Sequence, residues 1–434
     1  MNVNQKLLFI FIHLVLFLII NTNIISQVYW LDHPSPVQKR LYRAYFADTA
    51  YGWVVGDSGT IINTTNSGTS WTVQNSGEFS SEFKDLSFVS RTHGWIVSFD
   101  STYKSFLLRT TNSGTTWSKT YFQDTTTILK TVCFINETTG FVSGFSGYIY
   151  KSTNAGLNWS ICNIDTSSCL YLFPKNDIKF INSQTGYACG GVLDLQGIFL
   201  KTTNGGSSWF SMCVAAEPLH EIRDLGNGRI AVMGGDFDLG SILAVSSNSG
   251  ANWVYEQTGC FGNAEGFAFR TPGEVWAALN FSGKFAVNLD SMKPGSRWEC
   301  IETPGQVEVN DVEFISPTIG YAFGERGKIF KYNASIIGLN NTGTNIPTEM
   351  ELFQNYPNPF NPETMIEYFI PSNAEVVIQI YDNAGKEIRR YNEGFKNAGR
   401  HSISLNFSDI PSGVYFYRLD TDGKSISRKM VLIK

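Results

Sequence analysis

Histidines, cysteines, paired carboxylates and clustered arginines carry most protein chemistry, and in this chain none of them forms a recognisable constellation. Of the five histidines, His13 and His401 fall in the terminal segments, while His33, His93 and His220 stand far apart and read as surface or turn residues. No His/Asp/Cys spacing suits a metal site, and no metal or cofactor is expected. The seven cysteines, Cys133, Cys162, Cys169, Cys189, Cys213, Cys260 and Cys300, include no CxxC pair, which removes the zinc and thioredoxin-type readings. An odd count leaves at least one free or paired between chains, and an exported chain is free to oxidise the others. Cys133, between Val132 and Phe134, reads as a small buried hydrophobe. Arg109, Arg223, Arg270 and Arg326 are scattered through the chain. Acids are numerous enough that a two-carboxylate glycoside hydrolase stays open. The net charge of −5 argues against general affinity for nucleic acid or anionic lipid.

The elements that would position such residues are strands. Charged residues make up 16% of the chain and aromatics 14%, with 40 glycines, a balance that suits aromatic strands punctuated by turns. One block recurs. It runs from a short strand ending in Phe, through a turn and Gly plus an aromatic, to Asn-x-Gly-x-x-Trp. The last part is TTNSGTSW at 64–71, TTNSGTTW at 110–117, STNAGLNW at 152–159, TTNGGSSW at 202–209 and SSNSGANW at 246–253, with a degraded copy ending at Trp298. The Gly-aromatic pair stands at Gly52-Trp53, Gly94-Trp95, Gly140-Phe141, Gly186-Tyr187 and Gly320-Tyr321, with weaker counterparts at Gly228 and at 273–276. Phe46, Phe88, Phe134, Phe180 and Phe314 each precede the strong glycine by six residues.

A unit of about 45 residues is the size of a four-stranded propeller blade, which must stack on neighbours to bury its faces. Seven units fit a closed ring. The seventh has three strands, ending at Tyr332, and lacks the Asn-x-Gly-x-x-Trp turn. Residues 28–33, with Trp30, are expected to supply its missing outer strand and so remove an exposed edge. In the repeated turn, Asn caps through its side chain, Gly supplies positive φ, and Trp71, Trp117, Trp159, Trp209, Trp253 and Trp298 act as structural anchors between blades.

This turn resembles the Asp-box, or bacterial neuraminidase repeat, with Asn in place of Asp. Combined with the Gly-aromatic pair it resembles the propellers of the photosystem II assembly and stability factor family. The resemblance covers the seven repeats and implies the fold; it says little about function. A sialidase would need an arginine cluster for the substrate carboxylate, a Tyr nucleophile with a Glu partner and an acid; no Arg-Ile-Pro segment stands near the N-terminus, and the scattered arginines form no recognisable constellation.

At the N-terminus, Lys6 followed by the apolar run Leu7–Ile20 and polar Asn21-Thr22-Asn23 reads as a signal peptide over residues 1–27. No other segment is apolar enough for a transmembrane helix in the mature chain. After the propeller at 28–335, residues 336–350 read as a linker. Residues 351–434 then show short alternating strands such as Ser402–Phe407, as in a small Ig-like β-sandwich. Asn355-Tyr-Pro-Asn-Pro-Phe360, the Tyr381–Lys386 turn, Pro411-Ser-Gly-Val-Tyr415 and the ending 429–434 resemble the type IX secretion C-terminal sorting domain of Bacteroidetes and relatives. The resemblance implies Sec export followed by transfer across the outer membrane, with the type IX machinery as partner and a secreted or cell-surface destination.

The fold class is therefore all-β: a seven-bladed β-propeller followed by a small sandwich. In a four-stranded blade the loops after strands two and four share one face, and the Asn-x-Gly turns lie on the other. The first face carries the candidate binding residues Asp57, Phe99, Asp100, Tyr103, Lys104, Phe145, Asp194, Asp236, Phe237, Asp238, Glu325 and Arg326, acids interleaved with aromatics. The expected function is a non-catalytic recognition module for a protein or glycan. The alternatives are an Asp-box hydrolase and an assembly factor like the photosystem propellers.

Overall fold

A computed structural model describes residues 29–169, 172–236, 238–289, 297–335, 350–353, 355, 358, 360–370, 374–396, 399–421 and 424–433. The signal-peptide segment, nearly all of the linker and Phe237 lie outside these residues. The chain divides into two compact units, one ending at Ala334 and one beginning at Ser335.

Among the described residues the first unit contains seven sheets, antiparallel but for one added strand. The first has strands Leu41–Phe46, Gly52–Gly56, Ile61–Thr64 and Thr72–Gln74, paired in sequence order. The others span 82–121, 129–161, 175–215, 219–257, 263–302 and 309–332. They are called blades 1 to 7 below. The first strand of each blade contacts that of the next, and the first strand of blade 7 contacts that of blade 1, so the ring is continuous. The fourth strand of blade 7 is Trp30–His33, paired antiparallel with Ile329–Tyr332. Trp30 lies against Phe314, Tyr332, Phe285 and Trp276 at centroid distances of 5.8, 5.4, 5.0 and 5.5 Å. Blade 4 has a fifth strand, Asn163–Asp165, parallel to its outer strand.

Packing explains the Phe-to-Gly spacing. Phe46 pairs across the strands with Gly52, and a methyl group on Gly52 would sit 2.5 Å from the Phe46 ring. The same holds for Phe88 with Gly94, Phe134 with Gly140, Phe180 with Gly186 and Phe314 with Gly320. The ring therefore lies flat on bare backbone. Its other side takes the aromatic that follows the glycine in the preceding blade: Trp53 stacks on Phe88 at 3.8 Å, Trp95 on Phe134 at 3.6 Å and Phe141 on Phe180 at 4.5 Å. The anchor tryptophans meet the same rings edge-on, as Trp71 does Phe46, Trp117 does Phe88, Trp159 does Phe134 and Trp209 does Phe180. Trp253 packs on Phe199 instead.

The five turns share one hydrogen-bond set. Asn66 Oδ1 accepts from Ser70 N at 3.0 Å, and Gly68 N donates to Thr64 Oγ1 at 2.9 Å. The equivalent bonds recur around Asn112, Asn154, Asn204 and Asn248. Asn rather than Asp has a further reason. Its Nδ2 donates to Ser70, Thr116 and Ser208 in three of the turns, which a carboxylate cannot do.

The second unit packs a three-stranded sheet (Glu351–Leu352, Glu363–Ile370, Gly399–Asn406) and a four-stranded one (Glu387–Lys396, Ala374–Tyr381, Gly413–Thr421, Lys424–Leu432) around one core. That core includes Ile366, Tyr368, Val376, Ile378, Ile380, Tyr417, Leu419 and Met430. The Asn-rich motif at its start braces the end of the chain: Asn355 N donates to the Tyr417 hydroxyl at 2.8 Å, and Val431 N donates to Asn358 Oδ1 at 2.8 Å. Among the described residues no helix is long and apolar enough to cross a membrane.

Candidate functional site: the axial pocket

The first strand of every blade is interrupted at the same place by a β-bulge. The register slips between Leu41 and Arg43, Phe83 and Asp85, Leu129 and Thr131, Lys175 and Asp177, Leu219 and Glu221, Ala264 and Gly266, and Val309 and Asp311. A bulge frees one residue from the ladder and re-aims its side chain. The freed residues are Tyr42, Lys84, Lys130, Asn176, His220, Glu265 and Asn310, one per blade, and all seven line a single pocket of about 470 Å³. Arg43, Phe99, Tyr103, Ile128, Leu129, Phe145 and Asn280 complete the wall.

The pocket has two unlike sides. Blades 1 to 3 contribute cations and rings. The Lys84 ammonium lies 4.6 Å from the Tyr42 centroid and 5.7 Å from that of Phe99, and Lys130 lies 5.3 Å from that of Phe145. Phe99 and Tyr103 stack at 5.8 Å. Blades 4 to 7 contribute amides, His220 and Glu265. His220 Nδ1 lies 3.2 Å from Glu265 Oε2. Burial alone would raise the Glu265 carboxyl, but His220 beside it brings it down to about 2. His220 Nε2 and Asn280 Oδ1 are buried and find no partner among the described residues.

Beneath this ring lies a second layer: Arg43, Asp85, Asp177, Glu221 and Asp311. Arg43 Nη1 sits 3.3 Å from Glu221 and 3.8 Å from Asp311. Each acid in this layer also accepts a backbone N–H from the next blade. Asp85 takes Val132 N at 2.9 Å, Asp177 takes Ile222 N at 2.9 Å, Glu221 takes Phe267 N at 2.6 Å and Asp311 takes Ala44 N at 2.7 Å. Burial, partly offset by Arg43, pushes the Asp85 carboxyl up to about 6, and it raises Glu221 and Asp311 as well. These acids latch the blades together, so the layer is a floor and offers no free charge to a ligand.

The candidate residues named from sequence divide sharply. Phe99, Tyr103 and Phe145 reach the pocket, and Tyr103, held at φ 63°, leaves 66% of its surface exposed. Burial, and after it the Asp57 carboxylate nearby, raise the Tyr42 pKa. Asp100 braces its own loop through Thr102 and Lys104. Glu325 pairs with Arg40, while Lys104, Asp238 and Arg326 are exposed on the loops. Asp194 and Asp236 join Glu217 with carboxylate oxygens inside 4.8 Å, and burial raises Glu217. The acidic cast of the loops therefore stops short of the pocket, whose lining includes one carboxylate, Glu265, against Lys84, Lys130 and Arg43. His220, read as a surface or turn residue, belongs to the pocket wall. The sequence reading missed the bulge positions. Their signal is a polar, variable residue four before the repeat Phe, as Tyr42 is to Phe46 and Lys84 to Phe88.

The cysteines resolve into two disulfides, Cys169–Cys213 and Cys260–Cys300, each tying the connection before a blade to that blade's outer strand. Cys133, Cys162 and Cys189 are free, and burial pushes the Cys133 thiol up to about 12. Of the four arginines noted above, Arg223 bonds Glu313, Arg270 bonds Glu274 and Arg109 lies over Trp95.

The fold and its axial pocket define the first unit as a β-propeller built from Gly-aromatic and Asn-x-Gly-x-x-Trp repeats. Residues 22–126 match the family described as photosynthesis system II assembly factor YCF48, and residues 354–434 match the secretion system C-terminal sorting domain. Both resemblances read from the sequence thus stand, and the C-terminal match marks the chain for type IX export. No curated protein sequence matches the chain. Among solved structures it is similar to YCF48 bound to D1 peptide (21% identity, TM-score 0.55, 71% of this chain and 97% of that one). YCF48 from Cyanidioschyzon merolae is similar at 18% identity and TM-score 0.55, over 71% and 99%. The Niastella koreensis GH74 enzyme is similar at 11% identity and TM-score 0.56, over 92% and 74%. At these identities the likeness is one of fold.

Proposed function

We propose that this chain is a secreted or cell-surface recognition propeller without catalytic activity, exported by Sec and then by type IX secretion, that holds its ligand in the axial pocket. The observation that carries the reading is the ring of seven bulge residues. The positions are equivalent, their side chains differ, and they converge on one cavity whose single carboxylate is tied to His220. Hydrolysis of a glycoside by the usual route needs two carboxyl groups flanking the bond, and among the described residues the pocket lining includes one, Glu265. A similar propeller solved with a D1 peptide supports binding as the use of such a scaffold.

The competing reading, a glycosidase, draws on the likeness to a GH74 enzyme. Incubating the purified chain with xyloglucan and with fluorogenic sialosides separates the two. No release of sugar or fluorophore is expected. Release that disappears in Glu265→Gln would overturn the proposal and place the chemistry in this pocket.

A further inference from the structure

We infer that the axial pocket is a site for an acidic saccharide unit, with the sugar carboxylate between Lys84 and Lys130, a ring face on Tyr103 or Phe145, and hydroxyls on His220 and Asn280. The inference rests on the recognition reading above and adds the ligand's chemistry.

Three features of the pocket converge on this class. The first is charge. Lys84 and Lys130 occupy equivalent bulge positions on neighbouring blades and face the same cavity. Burial pulls the Lys130 ammonium below its ordinary value, with Glu265 in the same pocket offsetting only part of the effect and Lys84 adding to it. Its hydrogen bond to Asn176 Oδ1 uses one of three ammonium donors. Lys84 already pairs with Glu82 at its own strand, and a sugar carboxylate bridging the two lysines would add the counter-charge that Glu265 supplies to Lys130 only in part.

The second is the pair of aromatic faces. Phe99 is covered on one side by Tyr103 and approached by Lys84. Tyr103 and Phe145 remain exposed by 66% and 56%, on the two adjacent blades that carry Lys84 and Lys130. Flat, exposed rings beside a polar cavity suit the apolar face of a pyranose.

The third is the opposite wall. Asn280 Oδ1 is a buried acceptor with no donor, and His220 Nε2 is a buried ring nitrogen with no partner. Leaving such atoms unpaired is costly. A hydroxyl donates to Asn280 Oδ1, and it donates to or accepts from His220 Nε2 whichever ring nitrogen holds the proton. A peptide needs two separate groups for this, an N–H for the acceptor and a C=O for any donor, where one hydroxyl does both. The cavity of about 470 Å³ falls within the usual span of small-ligand pockets, about 300–1,000 Å³.

The test is calorimetric titration of the full chain with sialyllactose, digalacturonate and a hyaluronan tetrasaccharide, against lactose as the neutral control and a tetraglutamate peptide as the non-sugar anion. At least one acidic saccharide is expected to bind at least tenfold more tightly than lactose. Lys84→Ala with Lys130→Ala should weaken that binding on the order of a hundredfold, with thermal melting unchanged. Tyr103→Ala should weaken it by a smaller factor that persists at high salt. Lactose binding as tightly as the acidic sugars, or no saccharide binding at all, overturns the inference. Tetraglutamate binding that the lysine variants abolish, without saccharide binding, overturns it too but leaves the recognition reading standing. Cleavage of a bound saccharide would instead sink the recognition reading.

Discussion

The two faces of the propeller are built by opposite rules. On one, five Asn-x-Gly turns repeat the same hydrogen bonds at nearly the same lengths, and their side chains contact only the scaffold. On the other, seven bulges repeat the same backbone slip, yet present Tyr, Lys, Lys, Asn, His, Glu and Asn to a common cavity. Where residue and geometry both repeat, the repeat is structural. Where the geometry repeats and the residue varies, the repeat does not set the side chain: Asn176 and Asn310 tie to carbonyls of the next blade, and the other positions are available for recognition. A conserved-looking motif was thus the weaker guide to function, and the variable column beside it the stronger one.

If the seam is part of the scaffold, breaking it should cost more than any change on either face. Trp30→Ala removes a buried indole from a cluster of four aromatic rings at the closing strand. The expected loss is about 3–5 kcal/mol, read as a lower denaturation midpoint. An unchanged midpoint would show that the ring holds without its N-terminal strand.

The buried acids under the pocket should make stability depend on pH. Asp85 has its folded value raised from 3.8 to about 6. A raised carboxyl binds its proton more tightly when folded, so its contribution is greatest below pH 4 and is lost as pH rises through 6. The span is roughly 3 kcal/mol. Asp85→Asn should flatten the urea midpoint between pH 4 and 7, while keeping an acceptor for Val132 N. A profile equally steep in the variant would mean that Asp85 does not titrate there.

The turn face should respond more mildly. Asn112→Ala deletes the acceptor for Thr116 N and the donor to its hydroxyl, with an expected cost of about 1 kcal/mol and no effect on pocket binding. A measurable change in ligand affinity would break the division of labour between the faces.

Most of the scaffold was legible because its contacts are written locally. Phe46 and Gly52 are six residues apart and touch, and Thr64, Asn66, Gly68 and Ser70 bond within one turn, so the motif and its physical cause sit in the same short window. The hydroxyl two before each Asn was also in plain view, as the Thr or Ser of TTN, STN and SSN, and its bond to the glycine N–H gives it a role the motif alone did not suggest. The pocket was hidden for the opposite reason. Lys84, Lys130 and His220 meet only because three blades converge on the axis, and the one local mark of a bulge, a polar residue four before the repeat Phe, shows its meaning only when the repeats are aligned. The loop acids were overweighted because charge was counted along the chain, whereas Asp100 and Glu325 spend theirs on Thr102 and Arg40. The disulfide partners are likewise 44 and 40 residues apart and carry no mutual signal.

The smallest expected effect is the most discriminating. Unlike Asn176 and Asn310, whose amides bond carbonyls of the next blade, the bulge residue Lys84 bears little of the fold. Lys84 is bonded to Glu82 and lies over two rings at the pocket wall, contacts of the partly exposed kind that contribute below about 1 kcal/mol. Lys84→Ala should therefore leave the denaturation midpoint within about 0.5 kcal/mol of the parent, as should Tyr103→Ala on the rim. Residues kept for packing behave otherwise: Phe88→Ala, four residues on in the same strand, should cost about 3–5 kcal/mol because Trp53, Trp117 and bare Gly94 all lose their partner. If Lys84→Ala destabilised the protein as Phe88→Ala does, the bulge column would be part of the scaffold. The variable residues around the axis would then need a structural explanation.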